Sequence, residues 1–362
     1  MISKARGIII AAAVVLLSVC GTGVYTGEPS ETRLVRTIAV DKTETGVKIA
    51  VRFASDAEDG ENKLRYAEGA SLSDAVSAMK ADGTAYRSDF SHTEDILVGE
   101  SAAREGILPS VLDYVSRSGD MRFDMGIFIA RGMEASALLS ETTEGLQSLT
   151  RSADLRTDGH AYTCLDAAAR GMRLDCALIL AVSLADESPV SADFAVVKDG
   201  VLIGFTDKNA TKGVCIAENT GKYESVTLSC DGVPITVGIV SVKTRVRPVY
   251  EGGAVTGVHI EIKTEANIEQ MGGNAPVMEE SMRIPLEKAL ANLQKSRVES
   301  AVKLSRETGC DFLRLIERAR LGRARAIFSD IVDFQSMTVS VSSEAKILRS
   351  YDAVQFMGGN ES

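Results

Sequence analysis

A reaction centre in this 362-residue chain would have to be built from three histidines, six cysteines and a few neighbouring carboxylates. His92 lies in Asp89-Phe90-Ser91-His92-Thr93-Glu94-Asp95, from which a Ser, His and Asp set can be drawn. Such triads are defined by geometry and not by local order. His259 lies in Val258-His259-Ile260-Glu261-Ile262, where alternation puts it on one face with Glu261 as a solvated cross-strand neighbour. His160 stands alone, and no two histidines are close enough to make a local metal pair. There is no G-x-S-x-G elbow and no Walker-type glycine loop. Glu279-Glu280 and Glu141 with Glu144 read as solubilising or helix-dipole carboxylates, not as an acid/base pair. These residues point away from an enzyme, and none calls for a cofactor or a metal.

The cysteines are Cys20, Cys164, Cys176, Cys215, Cys230 and Cys310, with no CxxC among them. That spacing argues against zinc and against thioredoxin-like chemistry. If Cys20 is set aside, five remain, so at least one thiol stays unpaired. Most sit beside apolar residues, as in Cys176-Ala177-Leu178-Ile179, and read as small buried hydrophobes. A disulfide among them is the alternative.

Cys20 differs from the others. Lys4 and Arg6 lead into an apolar run from Ile8 to Val19, and the cysteine closes it. A 12-residue helix spans about 18 Å, short of a hydrocarbon core of about 30 Å. The pattern is a signal peptide over 1–19 with lipid attachment at Cys20, followed by a tether over 20–33. Leu17 and Ser18 suit the positions before the modified cysteine, whereas Val19 is atypical. An uncleaved membrane-spanning anchor remains the alternative, since no charge appears from Gly7 through Gly27. Gly21-x-Gly23-x-x-x-Gly27 with Asp41 mimics a dinucleotide fingerprint. Pro29 leaves no room for the helix that must follow such glycines, so the stretch reads as tether.

The net charge of −10 makes nucleic acid an unsuitable partner, because that binding rests on phosphate neutralisation. The same charge would be repelled by anionic lipid, so membrane attachment must come from the anchor. Against this background Arg314, Arg318, Arg320, Arg323 and Arg325 form a basic cluster. It is either a solvated helix face or a patch that meets a partner subunit or lipid headgroups. Aromatic residues make up 5% of the chain and Trp is absent, which counts against an aromatic-lined solute cleft.

The elements that would position these residues follow from periodicity. Strands are expected over 34–40, 47–53, 95–98 and 125–130, and helices over 71–81 and 103–116. Short helices are expected near 133–139 and 143–150, then a polar linker over 151–159. Strands follow over 176–184, 192–197, 201–205, 225–230, 237–243 and 257–264, with hairpin signals at Asp199-Gly200 and Asp231-Gly232. A long helix ends at Gly309, a second runs over 311–321, and a strand over 337–348 closes the chain. The reading is α+β, as three mixed sheet-and-helix domains over 34–170, 171–265 and 266–362.

Several segments in this order resemble the C subunits of bacterial spore germinant receptors, the Ger(x)C lipoprotein family. They are Leu34-Val35-Arg36-Thr37-Ile38-Ala39-Val40-Asp41-Lys42, the block Phe90 to Gly99, Leu112-Asp113-Tyr114-Val115-Ser116-Arg117 with Phe128-Ile129-Ala130-Arg131-Gly132, the hairpin Ala195 to Gly204, and the long helix followed by Gly309-Cys310-Asp311-Phe312-Leu313. The family often has Trp-Asp after the lipidated cysteine, where this chain has Gly21-Thr22, and a Gly where it has Ala39. The resemblance implies a non-enzymatic lipoprotein carrying acyl chains such as palmitate, on the outer face of the spore inner membrane. Its partners there would be the receptor's A and B membrane subunits, and its role would be assembly and signalling in nutrient-triggered germination. The reading set against it is an extracytoplasmic solute-binding lipoprotein serving a transporter.

Overall fold

The computed structural model describes residues 32–54, 64–81, 87–142, 146, 163–185, 188–220, 224–230, 232–251, 253–272, 280–322 and 332–349. The leader with Cys20, most of the tether, the linker at 151–159, His160, and Arg323 and Arg325 lie outside them.

Short, largely apolar runs such as Ile96-Leu97-Val98 and Ile127-Phe128-Ile129-Ala130 build the centre of the first sheet. Its centre is four parallel strands in the order β1 (Thr32–Lys42), β5 (Asp95–Val98), β6 (Gly126–Ala130) and β7 (Cys176–Ala185). Antiparallel strands flank it: β2 (Val47–Phe53) and β3 (Arg65–Gly69) beside β1, and β8 (Ser188–Lys198) and β9 (Val201–Phe205) beside β7. The short β4 (Arg87–Asp89) pairs with the start of β1. Parallel strands are buried on both faces, and here every residue of Asp95–Val98 is buried.

One face, with Ile38, Val40, Ile96, Ile127 and Ile129, packs on α1 (Leu72–Ala81), α2 (Glu100–Arg104), α3 (Leu108–Arg117) and α5 (Cys164–Leu174). The opposite face, with Ala39, Leu97, Phe128 and Leu180, meets α4 (Ala135–Glu141) and merges with the core of the second half. Each large apolar side chain buried there contributes about 1.5–3 kcal/mol.

The second sheet runs β10 (Ser225–Cys230), β11 (Val233–Glu251), β12 (Ala254–Met271) and β13 (Thr338–Arg349), the last parallel to β12. Here the residues alternate. Val258, Ile260, Ile262, Ala266 and Ile268 are buried, while His259, Glu261, Lys263 and Glu265 between them are not. The inner face packs on α7 (Glu280–Thr308) through Leu286, Leu290, Val298 and Val302, the stripe that the sequence marks out. Helices α6 (Lys208–Ala217) and α8 (Leu315–Gly322) complete this half.

The architecture is α+β, but its division is not the one expected. The boundary near 170 falls inside α5, and β7–β9 are hydrogen-bonded into the first sheet. The boundary near 265 falls inside β12, which continues to Met271. The helix expected over 103–116 is two helices: Gly106, at φ 77°, turns the chain between them, and Pro109 lies in the first turn of the second.

Candidate functional site

Asp41 ends β1 and is 2% exposed. Its Oδ1 and Oδ2 accept hydrogen bonds from the backbone N–H groups of Ala135 and Ser136, at 2.7 and 2.9 Å. The carboxylate therefore caps α4 from a neighbouring strand, supplying acceptors to orphan donors at the positive end of the helix. Arg52, from β2, closes the other end of α4: its guanidinium donates to the carbonyls of Leu139 and Thr142. Burial lowers the Arg52 pKa to about 10, with Arg36 adding to the effect. This dictates a structural role for the Asp that ends the first strand.

The basic cluster divides in two. Glu218, at the C-terminal end of α6, has a side chain 5% exposed and accepts from Arg314 at 2.7 Å, with Arg318 at 3.6 Å. Asp311 accepts from the N–H groups of Leu315 and Ile316 at 2.8 and 3.0 Å and so begins α8. Burial raises the Asp311 pKa despite those bonds and the two arginines, and burial lowers that of Arg318 despite Glu218. Arg314 and Arg318 thus hold α8 against α6 and do not form a free basic face. Arg320 is exposed. A second internal pair ties α7 to the start of β10: Arg297 donates to both oxygens of Glu224 at 2.9 and 3.0 Å, and its side chain is 7% exposed. Gly213 lets α6 and α7 touch, since a Cβ there would lie 2.0 Å from the Arg297 carbonyl oxygen.

No catalytic set is assembled around His92. Asp95 is fully buried, Ser91 donates its backbone N–H to Asp89, and among the described residues Ser91 and His92 share no hydrogen bond. His92 instead borders a cleft of about 420 Å³ whose charges pair with one another, Arg36 with Glu94 at 2.9 Å and Arg122 with Asp124 at 2.6 Å. His259 lies on the outer face of the second sheet, bonded to Ser340 and Ser342 at 2.8 and 2.9 Å. Arg247–Glu261 at 2.8 Å and Lys263–Glu344 at 3.4 Å continue that ladder of polar side chains. Among the described residues no group of three or more His, Cys, Asp or Glu is placed to hold a metal ion.

Among the described residues two further concave surfaces lie on the face of the first sheet that packs on α1, α2, α3 and α5. A cleft of about 940 Å³ is lined by Lys42, Leu72, Glu105, Ile107, Tyr114 and Arg117. Lys42 and Glu105 pair at 2.7 Å inside it, so its charges are already satisfied. A more apolar groove of about 560 Å³ runs between α3 and α5, lined by Leu112, Phe123, Leu165 and Cys176, with Asp175 and Asp199 also on its wall. Sequence reasoning missed this groove because it missed α5. The signal was Thr163 and Asp166: the Thr163 hydroxyl accepts from the Asp166 N–H at 3.1 Å and caps the helix.

Among the described residues no helix is long and apolar enough to cross a membrane. Residues 27–154 match the model for the spore germination protein N-terminal domain, and residues 192–351 match that for the spore germination B3/GerAC-like C-terminal region. The chain belongs to the germinant receptor C-subunit family of spore germination proteins. In fold it is similar to a solved structure titled as that of the GerBC protein, with a TM-score of 0.55 and 19% identity over 86% of this chain and 97% of that one. A search of curated protein sequences finds no match. The family is one of membrane-associated receptor subunits, not a known enzyme family.

Proposed function

We propose that this protein is a non-enzymatic, lipid-anchored subunit that supports assembly and signalling of a nutrient germinant receptor at the outer face of the spore inner membrane. Its partners are the A and B membrane subunits. The observation that carries the reading is the pair of family matches, which together take in both sheets except β7 and the start of β8. Cys20 closes the leader and is the residue that would carry the acyl chains. Two chains hold a protein on a bilayer stably where one does not.

Of the described arginines of the cluster, Arg320 is the one left for contact, because Arg314 and Arg318 are spent on Glu218. The outer face of the second sheet, with its ladder of charged and hydroxyl side chains, is a further polar surface available to a partner. The solute-binding alternative gains little from the two larger clefts seen among the described residues: both lie within the first lobe, and Lys42 and Glu105 in the larger pair with each other.

The test is expression of the chain with its A and B partners in sporulating cells. Wild-type protein is expected in the membrane fraction, to incorporate labelled palmitate and to co-purify with both subunits in detergent. Cys20→Ala should lose the label and shift to the soluble fraction. A wild-type protein that stays soluble and brings down neither subunit would overturn the reading.

A further inference from the structure

β13 is the outer strand of the second sheet, 12 residues from Thr338 to Arg349 with no Pro or Gly among them. The direction of its backbone groups follows from its neighbours. In β11 the Asn219 side chain accepts from the Thr244 N–H and donates to the Thr244 carbonyl, so both groups of Thr244 point away from β12. Its antiparallel partner Ile262 therefore turns both of its own groups towards β13. Ile262 lies opposite Ser343 in the parallel ladder, so its bonds go to the residues on either side, Ser342 and Glu344. Alternation then leaves Val339, Val341, Ser343, Ala345 and Ile347 with N–H and C=O on the open side. Ile347 gives an independent check: its N–H donates to Glu287 of α7 at 2.9 Å and not to β12. Among the described residues no partner takes the outward backbone groups of the other four.

The other edges are managed. β3, β9 and β10 are five, five and six residues long. The half of β11 that β10 does not cover is stopped by Asn219 and by Pro248, which has no N–H to offer at an outward position. A long edge without such stops is a template for another strand. Val339, Val341 and Ala345 are half-buried against the core, because no strand flanks them. On the opposite face of β13, Glu344 and Lys346 are exposed.

We infer that the stretch from Val339 to Ala345 is a docking edge for an extended segment of another polypeptide, which joins the four-stranded second sheet as one more strand. Recognition is by main chain, each outward residue offering one donor and one acceptor to the incoming backbone. The segment that fits has no Pro at its bonding positions and alternates in character. Its apolar side chains lie with Val339, Val341 and Ala345 on the face towards α7. Its polar side chains lie on the open face, with a basic residue opposite Glu344 and an acidic one opposite Lys346. Glu287 ends the site at Ile347. The inference rests on the receptor role proposed above, which assigns the segment to one of the two membrane subunits.

The experiment compares the full-length chain in detergent, alone and co-expressed with the A and B subunits. Hydrogen exchange is read residue by residue by mass spectrometry with electron-transfer fragmentation. In the chain alone the amides of Val339, Val341, Ser343 and Ala345 should exchange freely, while those of Ser342 and Glu344, bonded into β12, are slow. In the complex the four free amides should slow by at least about tenfold. Ser343→Pro removes one outward N–H and a hydroxyl that has no hydrogen-bond partner among the described residues. An edge strand accepts Pro at such a position. The thermal midpoint should therefore hold while co-purification falls about tenfold or more. Ser342→Pro, on the side facing β12, should lower the midpoint instead. Co-purification of the wild type without slowing of the four amides overturns the inference and leaves the receptor reading standing. Slow exchange of the four in the chain alone also overturns it, since a second copy or residues 350–362 would then fill the edge. A wild-type chain that brings down neither subunit overturns the receptor reading, and the docking edge falls with it. The wild-type exchange pattern is decisive even if a proline variant fails to fold.

Discussion

The first sheet is covered on both faces and the second on one, and the charged residues follow that difference. In the first, two of the buried charged residues, Asp41 and Arg52, close the two ends of α4 with backbone groups as partners, while buried Asp193 on β8 pairs with Arg131 at the end of β6. In the second, charge sits on the open face as a cross-strand ladder, with Arg247, Glu261, Lys263 and Glu344 in contact with water. Where the second half does bury charge, at Glu224–Arg297 and Glu218–Arg314, the pair joins helices to their neighbours. Buried charge in this protein therefore fixes how elements sit, whereas exposed charge is left for recognition. An ion pair at the surface is worth little because water screens it. One in the interior is costly to break because the survivor is stranded.

That contrast gives an order of effects. The largest is expected at Glu224→Ala, which strands the Arg297 guanidinium between α7 and β10 and should lower unfolding free energy by about 3–5 kcal/mol, as read by urea denaturation. A loss below about 1 kcal/mol would mean that the pair is wetter than its exposure indicates. Asp41→Ala removes a cap and leaves two buried N–H donors unpaired, for an expected loss of about 2–3 kcal/mol. Asp41→Asn should recover part of it.

Reversal of single arginines on α8 separates structure from contact. Arg318→Glu places a carboxylate beside buried Glu218 and Asp311 and should reduce the thermal midpoint. Arg320→Glu should leave the midpoint alone and weaken co-purification with the membrane subunits. If both variants behave alike, the split of the basic cluster is mistaken.

Glu100 offers a pH handle. Partial burial pushes its carboxyl up, but the Gly132 N–H and Arg104 outweigh this and hold it below the ordinary range. The unfolded chain then takes up that proton first as pH falls. The stabilisation is present above the unfolded pKa and disappears as pH drops through the folded one. Glu100→Gln should flatten the acid limb of the stability curve relative to wild type. Smallest of all is His259→Ala on the open ladder, expected to shift stability by about 0.5 kcal/mol or less; a larger loss would mean that this face is not merely solvated.

Much of the strand content was legible because period and composition are local properties. The expected segments 95–98, 201–205 and 225–230 coincide with β5, β9 and β10 to within a residue, and Leu286, Leu290, Val298 and Val302 do face the core. Helix α6 was missed because Gly213 interrupts its pattern. The glycine is there for α7 to approach, a demand set by a residue 84 positions away. The counter-signal was Asp207, whose carboxylate accepts from the Ala210 N–H at 2.7 Å. The strands β3 and β4 were missed because they are short and half exposed, with little alternation to read. The arginines of α8 show the same limit from the other side: five basic residues in sequence look like a patch, and nothing local reveals that Glu218 is waiting for two of them.

The sequence by itself determined most of the element types and the family, because propensity, periodicity and an ordered set of short motifs are all written within a few residues of one another. Only the tertiary structure decided which charges are internal and that β7 to β9 belong to the first sheet. Those outcomes depend on which distant surfaces exclude water together, and a linear chain records no such distances.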